Sequence, residues 1–117
     1  MKQAETVTLF RPVGPRELAL LRQNGFSRWP PRLPEQPIFY PVTNERYASE
    51  IAEQWNVKQS GFGAVTQFRV KAAFMAQYPI QKVGGAHHTE RWIPAEQLEE
   101  LNNNLVGLIE VVREFQG

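Results

Sequence analysis

The chain has 117 residues, 42% of them hydrophobic, no cysteine, and a formal charge of +1 from thirteen Lys and Arg against twelve Asp and Glu. That length and composition fit one globular domain, 1–117, with a core of its own, and no apolar run nears the roughly 20 residues that span a bilayer. The missing cysteines exclude disulfides, thiolate zinc sites and cysteine nucleophiles, and the near-neutral charge argues against nucleic acid as a partner.

Thr6 to Arg11 is β-branched and aromatic and predicts a first strand. Gly14-Pro15 ends it and opens a helix, because proline in the first helical turn loses no hydrogen bond. Leu18 and Leu21 share the inner face of that helix, and Gly25 closes it. Ser27 to Pro37 carries four prolines, which forbid a helix and interior strand pairing. It reads as an ordered loop flanked by Phe26 and Trp29. Ile38 to Val42 is expected to be a strand at an edge or ending in a bulge, because Pro41 lies inside it.

Thr43 or Asn44 caps a second helix that runs to about Asn56. Tyr47, Ala48, Ile51, Ala52 and Trp55 form its apolar stripe at spacings of three and four. Lys58 to Gly63 is a turn. Ala64 to Lys71 is a strand in which Val65 and Phe68 fall out of phase, which points to a bulge or strong twist. Ala72 to Gln77 makes a helical turn, and Tyr78 to Val83 a short strand stopped by Gly84-Gly85. His88 to Ile93 is another strand, Pro94 opens a third helix that ends at Asn102 to Asn104, and Gly107 to Phe115 is the last strand. Strands outnumber helices and cluster late, so the expected class is α+β.

Phosphate-cradling glycine loops and zinc-protease helices are missing. On a strand His87 and His88 would point to opposite faces and could not bind one ion together without a bulge, so the pair, with Glu90 beyond it, reads as a surface turn followed by a strand and no metal site is expected. All three tryptophans fit a core, but Trp29 beside Pro30 and Pro31 also suits one wall of a groove. With Arg32 it forms the expected contact for a protein partner.

L-F-R-P-V-G, P-P-R-L-P-E-Q-P-I-F-Y-P-V, Y-A-x-x-I-A-x-x-W-N and H-x-E-x-W-I-P-A-E-x-L together resemble a family of small bacterial proteins labelled "ADP-ribosylation/crystallin J1". The resemblance runs from about Thr8 to Phe115, and the arrangement is similar to the ADP-ribosyltransferase superfamily. It implies a bent, split, mostly antiparallel sheet with two to three flanking helices and NAD, as substrate, in the cleft. Arg11 would match the position that holds the cofactor's ribose and phosphates. Phe39 or Tyr40 would shape the nicotinamide pocket, Glu90 would be the catalytic carboxylate, and His88 would orient an acceptor.

Those roles are physically coherent. Arginine offers a charged fork to phosphate, an aromatic face stacks on nicotinamide, and a carboxylate stabilises an oxocarbenium-like centre. The chain departs from the superfamily in lacking a Ser-Thr-Ser motif, and it holds His88 where arginine-modifying transferases carry Glu or Gln. Three functions follow as expectations: an ADP-ribosyl transferase, an inactive module of the same fold that binds NAD or a related nucleotide, or a protein that binds a partner through the proline-rich loop. The opening MKQAETVTLF lacks a secretion signal, so the expected location is cytoplasmic.

Overall fold

The computed structural model describes residues 5–117 and is α+β. β1 spans Thr6–Val13, two residues longer than expected, and lies antiparallel to the central strand β3 (Phe62–Lys71), which pairs antiparallel with β7 (Glu110–Gln116) on its other side. β4 (Ile80–Lys82) and β5 (Thr89–Arg91) form a hairpin.

Val42 connects the two parts. It exchanges backbone hydrogen bonds with Phe10 on one side, at 2.7 and 2.9 Å, and stands opposite Glu90 on the other. Thr43 N–H donates to the Thr89 carbonyl and Arg91 N–H to the Pro41 carbonyl. The row is therefore β7-β3-β1-Val42-β5-β4, antiparallel throughout.

The expected strand Ile38 to Val42 is divided. Only Ile38–Phe39 (β2) pairs as a strand, and it does so with β6 (Ile93–Pro94). Pro41 supplies no N–H, so pairing with one neighbour stops there and resumes at Val42 with another.

Two apolar clusters lie on the two faces of the sheet. Leu9, Val13, Ala64, Phe68 and Val70 face one side, covered by Leu18 and Leu21 of α1 (Pro15–Gln23), by Trp29 and by Leu98 and Leu101 of α5 (Leu98–Asn103). Val42 and Val65 face the other, under Ala48 of α2 (Glu45–Ile51) and Ala52. Val65 and Phe68 are thus both buried, on opposite faces, and their phase needs no bulge. A register shift does occur between Val65 and Thr66, against β7.

Asn44 is the cap, its side-chain oxygen accepting from Tyr47 N–H at 2.8 Å. The helix then departs from expectation. After α2 it widens into a π-turn over Ala52–Asn56 and continues as α3 (Val57–Ser60), four residues past its predicted end. The extra residue in the turn shifts the phase of everything after it. Trp55, expected in the inner stripe, is 61% exposed, and the side-chain oxygen of Asn56 is buried instead.

Gly63 explains where the widened turn sits. A Cβ added there would stand 2.6 Å from the Ala52 carbonyl oxygen and 2.8 Å from Asn56 Cβ, so helix and strand approach as closely as glycine allows.

Other boundaries move less. The turn at Ala72 is α4 (Ala72–Met75). Pro94 ends β6 rather than opening a helix, and a 3₁₀ turn at Ala95–Gln97 leads into α5. No helix among the described residues is long and apolar enough to cross a membrane.

Candidate functional site

The residues singled out in the sequence fall into two groups, one on each face of the sheet. Phe10, Val42 and Glu90 stand side by side across the strands and share a face, and Arg11, one residue on from Phe10, leaves on the other.

Arg11 is 7% exposed. β1 carries it into the main core face, where its register partner is buried Thr66, and the first turn of α1 brings Glu17 to it. Its Nε and Nη2 donate to the two Glu17 carboxylate oxygens at 2.8 and 3.0 Å, the fork geometry that arginine favours. The guanidinium also lies 4.7 Å from the Phe39 ring centre and 5.7 Å from that of Tyr40, within cation–π range.

Trp29 is buried to 1% exposure, not an open groove wall. Its ring meets Phe39 at 5.2 Å and Phe68 at 5.0 Å, and Asn102 clamps its backbone from both sides through its side-chain amide. The prolines around it hold the chain so that the indole turns inward. Its indole N–H is buried without a partner.

Arg32 is the second cation of this face. Burial first, and then repulsion from Arg11, push its guanidinium below the ordinary arginine range. Its Nη2 reaches the Ile38 carbonyl at 3.3 Å, but its buried Nε has no partner. Arg32 lies between two hollows on either side of the proline-rich loop. One, of about 450 Å³, runs from Trp29 and Pro34 to Glu96 and Glu99. The other, of about 380 Å³, lies between the start of α1 (Gly14 to Glu17), the loop, and Asn56, Gln59 and Ser60 beyond the π-turn. α1 has no side-chain cap, so its first-turn N–H groups add partial positive charge there.

On the opposite face, Glu90 is 9% exposed and each of its oxygens accepts from one neutral donor. Tyr47 Oη donates to one carboxylate oxygen and Trp92 Nε1 to the other, both at 2.8 Å. Burial and the bond to Glu90 raise the Tyr47 phenol well above the ordinary tyrosine range. Trp92, expected in the core, is 44% exposed because β5 ends at Arg91 and its side chain folds back along the surface to Glu90. Tyr40 is also 44% exposed. Its ring lies 5.7 Å from the Arg11 guanidinium, which places it with the Arg11 group.

His87 and His88 lie in a surface turn that leads into β5, as expected, so the strand alternation that argued against a shared ion does not separate them. Both rings meet Glu50 of α2, a residue that nothing in the sequence marks. His87 Nε2 is 2.8 Å from one carboxylate oxygen and His88 Nε2 3.0 Å from the other. Contacts with His87 and then His88 hold the Glu50 carboxyl below the ordinary range. Tyr47 stacks on His88 at 4.7 Å, so the histidine pair and Glu90 share one aromatic neighbour.

Arg11, Phe39 and Tyr40 are therefore together, and Glu90 and His88 are together, with Arg11 and Glu90 on opposite faces of the sheet. The residues that sequence reasoning missed are Glu17, Tyr47, Glu50 and Asn56. No protein-family model, no curated protein and no solved structure matches the chain.

Proposed function

We propose that the chain is a nucleotide-binding module of ADP-ribosyltransferase-like type that holds NAD or ADP-ribose without transferring it. The observation that carries this is the unmatched charge around Arg32. Arg11 takes both oxygens of the Glu17 carboxylate, and Arg32, repelled by Arg11, keeps a buried donor unpaired. An unpaired buried donor costs about 1–3 kcal/mol, which an anionic ligand recovers on binding.

The hollow beside α1 suits a phosphate group. Arg16, Arg32 and the uncapped first turn supply donors and positive charge, and the buried Asn56 oxygen, also unpaired, offers an acceptor to an amide or amino group of the same ligand. Binding is favoured over transfer because Arg11 is already forked to Glu17 and both oxygens of Glu90 already accept a hydrogen bond, from Tyr47 and Trp92, on the other face. A transferase needs the arginine and the carboxylate to meet one ligand.

NAD and ADP-ribose titrated into labelled protein are expected to give saturable shifts at Gly14, Arg16, Arg32 and Gln59, and the shifts are expected to vanish in Arg32→Gln. Nicotinamide is not expected to be released. Nicotinamide release that is lost in Glu90→Gln would restore the transferase. An absence of shifts at millimolar concentrations of both compounds would end the nucleotide reading and turn the search to protein partners of the proline-rich loop.

A further inference from the structure

The cluster of Glu50, His87 and His88 lies apart from the nucleotide hollow and is built like a ligand set. We propose that these three side chains bind a divalent first-row transition ion, zinc most readily, with one coordination position left open to solvent. One ligand atom from each residue lies within 4.8 Å of the other two. Around a tetrahedral zinc with bonds of about 2.0–2.2 Å, ligand atoms stand roughly 3.4 Å apart. The two observed separations, 2.8 and 3.0 Å, have to open by about half an ångström to admit the ion. Two imidazoles and one carboxylate form a zinc-type donor set, and three protein ligands leave the fourth position free.

The supports of the cluster are already in place. The Asn44 side-chain amide donates to the His87 carbonyl at 2.7 Å, which fixes the turn to the start of α2. The Thr43 and Thr89 hydroxyls are hydrogen-bonded beside it, and Tyr47 backs the His88 ring. Glu50 and His88 are each about a third exposed and His87 about a quarter, so an ion reaches them without local unfolding.

Two features oppose the ion and make the proposal specific. Arg46 Nε lies 3.5 Å from Glu50, a competing cation, but its side chain is 74% exposed and free to swing away. His88 Nδ1 accepts the Gly85 N–H at 2.9 Å, which in a neutral ring puts the proton on Nε2, toward Glu50. Coordination through Nε2 moves that proton to Nδ1, where it needs an acceptor, as metal-bound histidines usually have. Turning the Gly84–Gly85 peptide replaces the Gly85 N–H with the Gly84 carbonyl, and a pair of glycines makes that rotation cheap. Gly84 also has to be glycine for the ring to sit here, since a Cβ would lie 2.7 Å from His88 Nδ1.

The test is titration of zinc, and of cobalt for its visible absorption, into untagged full-length protein, with amide shifts followed alongside. Saturable binding is expected, with the largest shifts at Gly84, Gly85 and His88 and a cobalt spectrum of low coordination number. His87→Gln, His88→Gln and Glu50→Gln are each expected to weaken zinc by at least about tenfold, while Arg46→Ala tightens it. Thermal melts of each variant distinguish a lost ligand from a lost fold, and Arg46→Ala, which removes no ligand, reports on the site even if a histidine variant unfolds. No saturable zinc binding, or binding that all four substitutions leave unchanged, overturns the proposal.

Discussion

Gly63→Ala is expected to destabilise the protein by about 3 kcal/mol or more, the upper end of what over-packing costs. Elsewhere the same exchange often gains a few tenths of a kcal/mol by restricting the unfolded chain, so the sign is informative. Gly63 needs no unusual backbone, because it is not among the glycines with positive φ. The whole cost comes from space. The new methyl meets a main-chain carbonyl, Ala52 O at 2.6 Å, which has no rotamer to change. Relief requires the π-turn to lift from β3, which would move Asn56 away from Gly14 and open the hollow beside α1. Urea unfolding measures the effect, and a loss below about 1 kcal/mol would mean that the turn does not seat on Gly63.

Glu17→Gln is expected to cost about 2–3 kcal/mol, because it strips the nearly buried Arg11 of its charged partner and leaves two guanidiniums facing each other. Arg11→Met is expected to cost less than about 1 kcal/mol, since an apolar chain of similar length suits the Phe39 and Trp29 surroundings and leaves Glu17 to Arg32. The asymmetry follows from exposure, because the Arg11 side chain is 8% exposed and that of Glu17 22%, so an unpaired Glu17 reaches water more easily than an unpaired Arg11. Glu17→Gln carries a second expectation from the proposed ligand. Removing the internal carboxylate makes the pocket more positive, so the variant is expected to bind NAD or ADP-ribose several-fold more tightly while being less stable when empty. Denaturation with and without ligand reads both effects on one sample. Lower stability with unchanged affinity would confine Glu17 to a structural role.

Local signals made much of the fold legible. Pro15 and the Leu18, Leu21 spacing located α1, Asn44 announced α2, and the α+β class followed from the element order. The misplaced residues share a cause, which is that their positions depend on one inserted residue or on distant partners. Trp55 obeys the helical period of its sequence, and only the π-turn turns it outward. Trp29 is in the core, as all three tryptophans were expected to be, and only its second reading as a groove wall fails, because Phe39 and Phe68 supply its ring contacts.

The site was less legible than the fold. Arg11, Phe39 and Tyr40 do gather, but Glu17 joins Arg11 across a strand–helix corner, at a spacing that no periodic pattern encodes. The strand expected from His88 begins one residue later, at Thr89, and the Gly84-Gly85 turn was the signal that both histidines belong to a loop, where strand alternation does not keep them apart. Glu50 has no marker at all, because a glutamate on the polar side of a helix is the commonest of surface residues.

The pairing pattern of the sheet also bears on how the chain reaches this structure. Only β4 and β5 are neighbours in sequence, while β1–β3, β3–β7 and the Val42 bridges each close long loops. Closing such loops costs chain entropy before any contact rewards it, so folding is expected to be slower than the microsecond range of helical bundles. Among the described residues the β4–β5 hairpin is the one strand pair formed between sequence neighbours, and it carries Glu90.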